Sequence, residues 1–225
     1  MDTDRELIDE QIEYYRQTAP HYYEVTTPEG DVLRAYSKEI RAALDAFRPE
    51  GKILEIACGT GNGTRLLLEH ATSITALDSS EESVAISRDR LGNDPRVDYV
   101  VADVFSWEPD DTYDVVFFSY WISHVPPSRF DGFWDLVRRA LKPDGRVFFV
   151  DEKEGAWRME EALHEEFIEH PSVPLVRRPG DEGKSYRVIK VFWDPSELAT
   201  RLGTLGWNVK VGTSGPFFWG EARRT

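Results

Sequence analysis

"ILEIACGTGNGT", residues 53–64, is the stretch on which the rest of the chain turns. An apolar run from Ile53 reaches Cys58, and glycines follow at Gly59, Gly61 and Gly63. An unbroken apolar run of this length reads as a strand buried on both faces. Glycines directly after it let the chain turn tightly and bring backbone N–H groups close to a ligand. A tight strand-to-helix turn needs glycine too, so the surroundings must decide between the two.

Outward from the loop, short apolar runs recur at Lys52–Ala57, Ser73–Leu77, Val97–Ala102, Tyr113–Ser119 and Arg146–Val150. Helical stretches at about 64–70, 80–91 and 128–141 separate them. In the last of these Phe130, Phe133, Val137 and Leu141 share one face. Ser79 stands three residues before Glu82 in the pattern of a capping box. Alternating strand and helix implies an α/β fold, a parallel sheet with helices on both faces.

Upstream, residues 4–18 read as a helix with Ile8, Ile12 and Tyr15 on one face, ended by a loop over 20–30. A stronger helix over 31–48 carries Leu33, Tyr36, Ile40, Leu44 and Phe47. Downstream, 155–169 reads as a helix, 171–186 as a loop, Lys184–Trp193 as extended and 195–205 as helical. Strands at about 207–213 and 216–222, turning at Gly215-Pro216, form a hairpin that puts an antiparallel strand at the sheet edge. No linker divides the chain, so residues 1–225 are expected to form one domain, with 1–48 as a helical cap on a core of 49–225.

The bulk numbers agree. A chain of 225 residues, 40% hydrophobic and 30% charged, can bury a sizeable core. Its formal net charge of −14 repels phosphate backbones and anionic lipid, and no basic run offsets it, so neither nucleic acid nor membrane is expected as a partner. One cysteine excludes an intramolecular disulfide framework and suits the cytoplasm. No apolar stretch spans a bilayer, and MDTDRELIDEQ lacks the basic-then-apolar order of a secretory leader.

Three acids stand in register with the glycine loop. Glu55 lies near the end of the first strand, Asp78 ends the second, and Asp103 follows the third. In such a sheet ligands bind beyond the carboxyl ends of the strands. Asp78 can chelate a ribose diol, Asp103 can accept from an adenine amino group, and Glu55 can face an ammonium. An acid beside the loop would repel a pyrophosphate. The spacing, G-x-G-x-G, also departs from the dinucleotide fingerprint G-x-G-x-x-G.

"ILEIACGTGNGT", "ITALDSS", "YVVADVF", "YDVVFFSYWISHVP" and "RALKPDGRVFFVDE" resemble, in order and spacing, the successive motifs of class I S-adenosylmethionine (SAM)-dependent methyltransferases. The resemblance covers about residues 50–153. It implies a Rossmann-like fold with a seven-stranded, mostly parallel sheet. It implies SAM as cofactor, S-adenosylhomocysteine as product, and methyl transfer to an oxygen or nitrogen of a small-molecule acceptor. The loop from Glu55 to Gly63, with Ala57, Gly59, Thr60 and Gly61, would hold the methionine part. Asp78 would take the ribose hydroxyls with Ser79 beside it, and Asp103 and Val104 would border the adenine. Ser119 and Tyr120 would flank the methionine end and the reactive methyl. "YYRQTAPHYY", residues 14–23, is similar to the N-terminal lid of small-molecule members. Tyr15, Ala19 and Tyr22 match its pattern, which implies that Tyr15 and Tyr22 contact the cofactor, and Tyr23 stands where Asp is common.

The remaining candidates concern the acceptor, whose pocket would be shaped by residues 1–30, 120–128 and an insertion at about 152–187. His124 is a candidate general base, weighed against a locally bonded histidine at a helix start. Asp151 and Glu152, past the fifth strand, are rival bases or substrate contacts. Arg177, Arg178, Lys184 and Arg187 cluster in an otherwise acidic chain, as solvated surface or as an attraction for a carboxylate or phosphate on the acceptor. Trp121 and Trp157 read as core or rim. Cys58 reads as a small packing residue. His164 and His170, six apart, are poorly spaced for a zinc pair, and no metal is expected. Two alternatives remain: an NAD(P)-dependent oxidoreductase on a similar sheet, and a non-catalytic SAM-binding partner protein. Monomer and homodimer are both open.

Overall fold

The computed structural model describes residues 3–26, 38–153, 166–180 and 183–225. Helices α1 (Thr3–Thr26) and α2 (Lys38–Phe47) precede β1 (Gly51–Ile56). Then come α3 (Asn62–Leu67), β2 (Ala71–Asp78), α4 (Glu81–Arg90), β3 (Val97–Val101) and β4 (Tyr113–Ser119). Two short 3-10 turns, Ile122–His124 and Pro127–Arg129, lead into α5 (Phe130–Ala140) and β5 (Leu141–Glu152). The rest is β6 (Glu166–Ile168), β7 (Leu175–Pro179), β8 (Ser185–Ile189), α6 (Pro195–Thr204), β9 (Trp207–Ser214) and β10 (Phe217–Arg224).

Seven strands form one sheet in the order β3-β2-β1-β4-β5-β10-β9. All the pairings from β3 to β5 are parallel, and β10 runs antiparallel to both of its neighbours. The C-terminal hairpin therefore closes the sheet, with β10 against β5 and β9 outermost. The crossover direction reverses at β1: β2 and β3 extend to one side, β4 and β5 to the other. In open parallel sheets ligands bind at such a reversal, beyond the strands' carboxyl ends.

Continuous apolar strands fill two cores by simple alternation. Leu54, Ile56, Val116, Phe118, Val147 and Phe149 face α5 and α6, where Phe133, Trp134 and Leu202 receive them. Ile53, Val115, Phe117, Phe148 and Val150 face the other way, onto Ile40, Leu44 and Phe47 of α2 and Leu67 of α3. Phe118 and Phe149 stack at 5.4 Å, and Phe47 meets Phe148 at 5.1 Å.

Several elements differ from the expectation. Helix α1 runs on through Pro20 to Thr26 rather than stopping before a loop at 20. An interior proline removes one helical bond, but buried Leu7, Ile8, Tyr14 and Ala19 hold α1 against the rest of the molecule. Its buried face includes Gln11, a polar residue that hydrophobic periodicity does not register, and Ile12 and Tyr15 sit at its margin. The N-cap of α4 is Ser80, not Ser79: its side chain accepts from the N–H of Ser83. Residues 166–168 are a strand instead of the end of a helix, and the expected loop at 171–186 contains β7. Together β6, β7 and β8 make a separate three-stranded antiparallel sheet against which α1 packs. Residues 155–165 of the expected helix, and 31–37 of the earlier one, lie outside the described residues. No helix among the described residues is long and apolar enough to cross a membrane.

Candidate active site

The glycine loop emerges from β1 at the crossover reversal. Left-handed backbone falls at Ala57 (φ 55°), Gly59 (φ 52°) and Gly61 (φ 87°), whereas Gly63 lies buried in the first turn of α3. The alternating positions are thus 57, 59 and 61, and an alanine takes the first. An L-residue in this region costs roughly 1–2 kcal/mol, the kind of strain that persists where surroundings fix the backbone. A Cβ on Gly61 would collide with the Ser87 hydroxyl, so this glycine is required by packing against α4. A Cβ on Gly59 would meet nothing within 4 Å, so this glycine faces open space. Thr60, buried beside them, has its carbonyl held by Arg90. Cys58 is buried with its thiol pKa pushed well above the ordinary value by that burial, which fits packing and not reactivity.

Each of the acids is held by the backbone or a neighbour. Glu55 is buried and accepts from the Thr64 hydroxyl at 2.6 Å; burial raises its pKa to about 8. Asp78 accepts from the N–H of Gly59 at 2.8 Å with one oxygen and of Ser80 at 2.9 Å with the other. Burial pushes its pKa up while these N–H bonds pull it down. It thereby ties the glycine loop to the start of α4. Asp103 accepts from the N–H of Phe105 at 3.0 Å and from Arg5 of α1 at 2.6 Å. Val104 is buried in the core beside it.

A second cluster lies past β4 and β5, on the same edge of the sheet. Ser119 ends β4 opposite Val150. Tyr120, at φ 54°, donates its N–H to Val150, and its ring meets Phe217 edge-on at 5.8 Å. Trp121 packs on Phe105 and Phe133. His124 is buried, and its partners are distant in sequence: Nδ1 is 2.6 Å from the Ile189 carbonyl and Nε2 is 3.0 Å from the Tyr15 hydroxyl. Arg178 donates to that hydroxyl at 3.1 Å. Burial first, then the charges of Lys190 and Arg178, hold the His124 pKa well below its ordinary value. Asp151 accepts from the N–H of Ser123 at 2.9 Å, and burial raises its pKa to about 6. Glu152 pairs with buried Lys190 at 2.6 Å.

The methyltransferase-domain family model matches residues 53–145. DhpI, solved with SAH, superposes with a TM-score of 0.80 at 37% identity over 97% of each chain. Its complex with SAM and HEP gives a TM-score of 0.81 at 38% identity over 96% of this chain and 97% of that one. The chain belongs to the class I SAM-dependent methyltransferases. A demethylmenaquinone methyltransferase of Clavibacter sepedonicus is 33% identical over 131 residues, which make up 58% of this chain. The match spans under half of that relative's length, 46%. As a class I methyltransferase the protein is an enzyme whose cofactor is SAM, and the expected Rossmann-like sheet is the one observed.

Among the acceptor-side candidates the structure separates what the sequence lists together. Along β7, Arg177 points outward to Glu166 and Arg178 inward, because successive side chains take opposite faces. Arg187 is exposed and bound to Glu10, and Lys184 is exposed. Lys190 and Gln11 are buried polar residues that the sequence reading does not single out. A lone lysine within the extended run "YRVIKVFW", residues 186–193, was the available signal for the first. The Tyr22 side chain, Trp157 and His164 lie outside the described residues. Among the described residues, no group of three or more His, Cys, Asp or Glu could hold a metal ion.

Proposed function

We propose that the enzyme methylates an anionic oxygen of a small-molecule acceptor. The observation that carries this is the pair of buried cations, Arg178 and Lys190, at the carboxyl edge of the sheet in a chain of net charge −14. Two cations beside His124 in an otherwise acidic chain attract a negatively charged group. Glu152 pairs with Lys190. A carboxylate or phosphate-like group on the acceptor can be met by Arg178 and Lys190, and a bidentate guanidinium contact orients it. DhpI, the relative solved with SAM and HEP together, supports a small acceptor.

The cofactor site fits SAM on its own features. Gly59 leaves room where a side chain would intrude, and the acids Glu55 and Asp78 stand beside the loop, where a cationic amino-acid end would be favoured. In this assignment Ala57, Gly59, Thr60 and Gly61 hold the methionine part and Glu55 faces its ammonium. Asp78, with Ser79 beside it, takes the ribose hydroxyls, and Asp103 and Val104 border the adenine. Ser119 and Tyr120 flank the transferable methyl, while Tyr15 and Tyr22 belong to the lid made by α1. Bound SAM supplies a methyl carbon already activated by its sulfonium, which passes in line to the acceptor and leaves S-adenosylhomocysteine. The chain's own task is then to align the acceptor and exclude water. An anionic oxygen carries no proton that must be removed, so this reaction needs no general base.

Incubation with isotopically labelled SAM and a panel of small carboxylates, phosphates and neutral alcohols or amines, read by mass spectrometry, tests the assignment. Label in the anionic acceptors supports it. Label only in neutral acceptors refutes it, and binding of SAM without label in any acceptor favours a non-catalytic SAM-binding protein.

A further inference from the structure

The hydrogen bonds around His124 have a forced direction. The Ile189 carbonyl, 2.6 Å from Nδ1, has no hydrogen to give. Nδ1 therefore carries the proton, and in the neutral ring Nε2 offers a lone pair. The Tyr15 hydroxyl, 3.0 Å away, is the donor to that lone pair. Its oxygen is then left to accept from Nη1 of Arg178 at 3.1 Å. The chain runs one way: Arg178 to Tyr15, Tyr15 to His124, His124 to the peptide of Ile189.

That peptide is gripped on both sides. Ile189 donates its N–H to Gln11 Oε1 at 3.1 Å, and Gln11 Nε2 reaches the His124 carbonyl at 3.4 Å. The turn that carries His124 is fixed as well: Ser123 donates to Asp151, and its carbonyl accepts from Val191 at 2.7 Å. Core, α1 and the three-stranded sheet thus converge on one imidazole.

Building on the anionic-acceptor assignment above, we infer that His124 is a positioning residue that acts through Tyr15. As the neutral Nδ1–H tautomer it turns the Tyr15 hydroxyl so that oxygen, and not hydrogen, meets Arg178. This orients the guanidinium that receives the acceptor's charge. A base would need an imidazole lone pair facing the acceptor, and both ring nitrogens are engaged within the protein. The charged and titratable groups that act on the ring agree: Tyr15 from α1, Arg178 from β7 and Lys190 after β8, while Asp151 at the end of β5 is bound to the Ser123 N–H. Protonation of His124 would add a third cation beside Arg178 and Lys190. It would also reverse the Tyr15 bond.

The test uses the full chain saturated with S-adenosylhomocysteine. Long-range nitrogen–proton NMR reads the His124 tautomer, and calorimetry reads the affinity for inorganic phosphate and for acetate. The expected spectrum has a proton on Nδ1 only, with no titration through the ordinary histidine range. Tyr15→Phe and His124→Ala should each weaken the better-bound anion about tenfold, and the double variant no further, since they break one chain. His124→Gln, whose amide oxygen can accept from Tyr15, should recover part of the loss. An Nε2–H tautomer, or an imidazole titrating near its ordinary pKa, overturns the positioning role even if the anions bind. A wild-type protein that binds S-adenosylhomocysteine but neither anion refutes the anionic acceptor, and with it the purpose given to Arg178, whatever the tautomer. Should His124→Ala fail to fold, the wild-type spectrum and the Tyr15→Phe affinities still decide.

Discussion

Arg5 of α1 lies 2.6 Å from Asp103, the acid just past β3. Three helical turns later Arg16 makes a two-pronged bond to Glu82, at the start of α4. The same face of α1 is thus pinned at two points over the edge where the cofactor is assigned. Both pairs are partly exposed, so neither contributes much to stability. The double variant Arg5→Ala/Arg16→Ala should melt within a few degrees of wild type. Its S-adenosylhomocysteine should dissociate several-fold faster by stopped flow, and wild type should approach that rate in high salt. Equal off-rates at low salt would show that the pairs do not restrain the lid.

Gly59 and Gly61 should respond differently to alanine. Gly61→Ala drives a Cβ into the Ser87 hydroxyl at φ 87°, so it should destabilise by about 2–4 kcal/mol. Gly59→Ala meets no neighbour and should cost only about 1 kcal/mol of backbone strain. Yet it should lower SAM affinity at least tenfold, because the new methyl enters the space assigned to the ligand. Denaturant melts and calorimetry on both variants separate the effects. Undiminished SAM affinity in Gly59→Ala would move the ligand away from the loop.

Asp78 has two jobs that substitution can divide. Asn keeps one acceptor oxygen but not two, leaving either Gly59 or Ser80 with a poorly paired N–H. A buried donor without its partner costs about 1–3 kcal/mol. Asp78→Asn should therefore lower the melting temperature without ligand. It should also weaken SAM binding beyond that stability loss if the carboxylate holds the ribose. Unchanged affinity in a folded variant would remove the ribose role.

Glu55 gives the ligand-free enzyme a pH dependence of definite sign. Its pKa is about 8 in the fold against 4.5 for the free side chain, with burial as the main cause. Below pH 4.5 both states carry the proton and this contribution to stability is complete. Between pH 4.5 and 8 only the unfolded chain has released it, so stability falls as pH rises and levels off above the folded value. Glu55→Gln, which cannot ionise, should lack this decline and exceed wild type in melting temperature near pH 8. Bound S-adenosylhomocysteine, with its ammonium, should flatten the wild-type slope. Parallel wild-type and Glu55→Gln profiles would mean that Glu55 does not titrate in this window.

Much of the fold was legible because its signals are local. Five continuous apolar runs are the five parallel strands, since a strand buried on both faces needs nothing from afar to be recognised. The glycine loop and the carboxylates of Glu55, Asp78 and Asp103 follow directly from where those runs end. Small errors had local causes too. Ser79 and Ser80 are equally good caps by composition, and only the backbone shows that Ser80 accepts from Ser83. Gly63 completes an attractive pattern, but the helix has already begun there.

The acceptor side was much less legible. Strands β6, β7 and β8 are short and mix charged with apolar residues, so no run announces them. They persist because each pairs with the next and because α1 covers one face. Arg177 and Arg178 are alike in sequence, and β7 pairing alone sends one to solvent and the other inward. Gln11, Tyr15, His124 and Ile189 are scattered along the chain, yet they share one hydrogen-bond network. The sheet, the loop and the cofactor class can be read along the chain, because strand burial and turn chemistry are written in neighbouring residues. The direction in which Arg178, Tyr15 and His124 hand on their hydrogens cannot, because it depends on the Ile189 carbonyl, which folding brings from another strand.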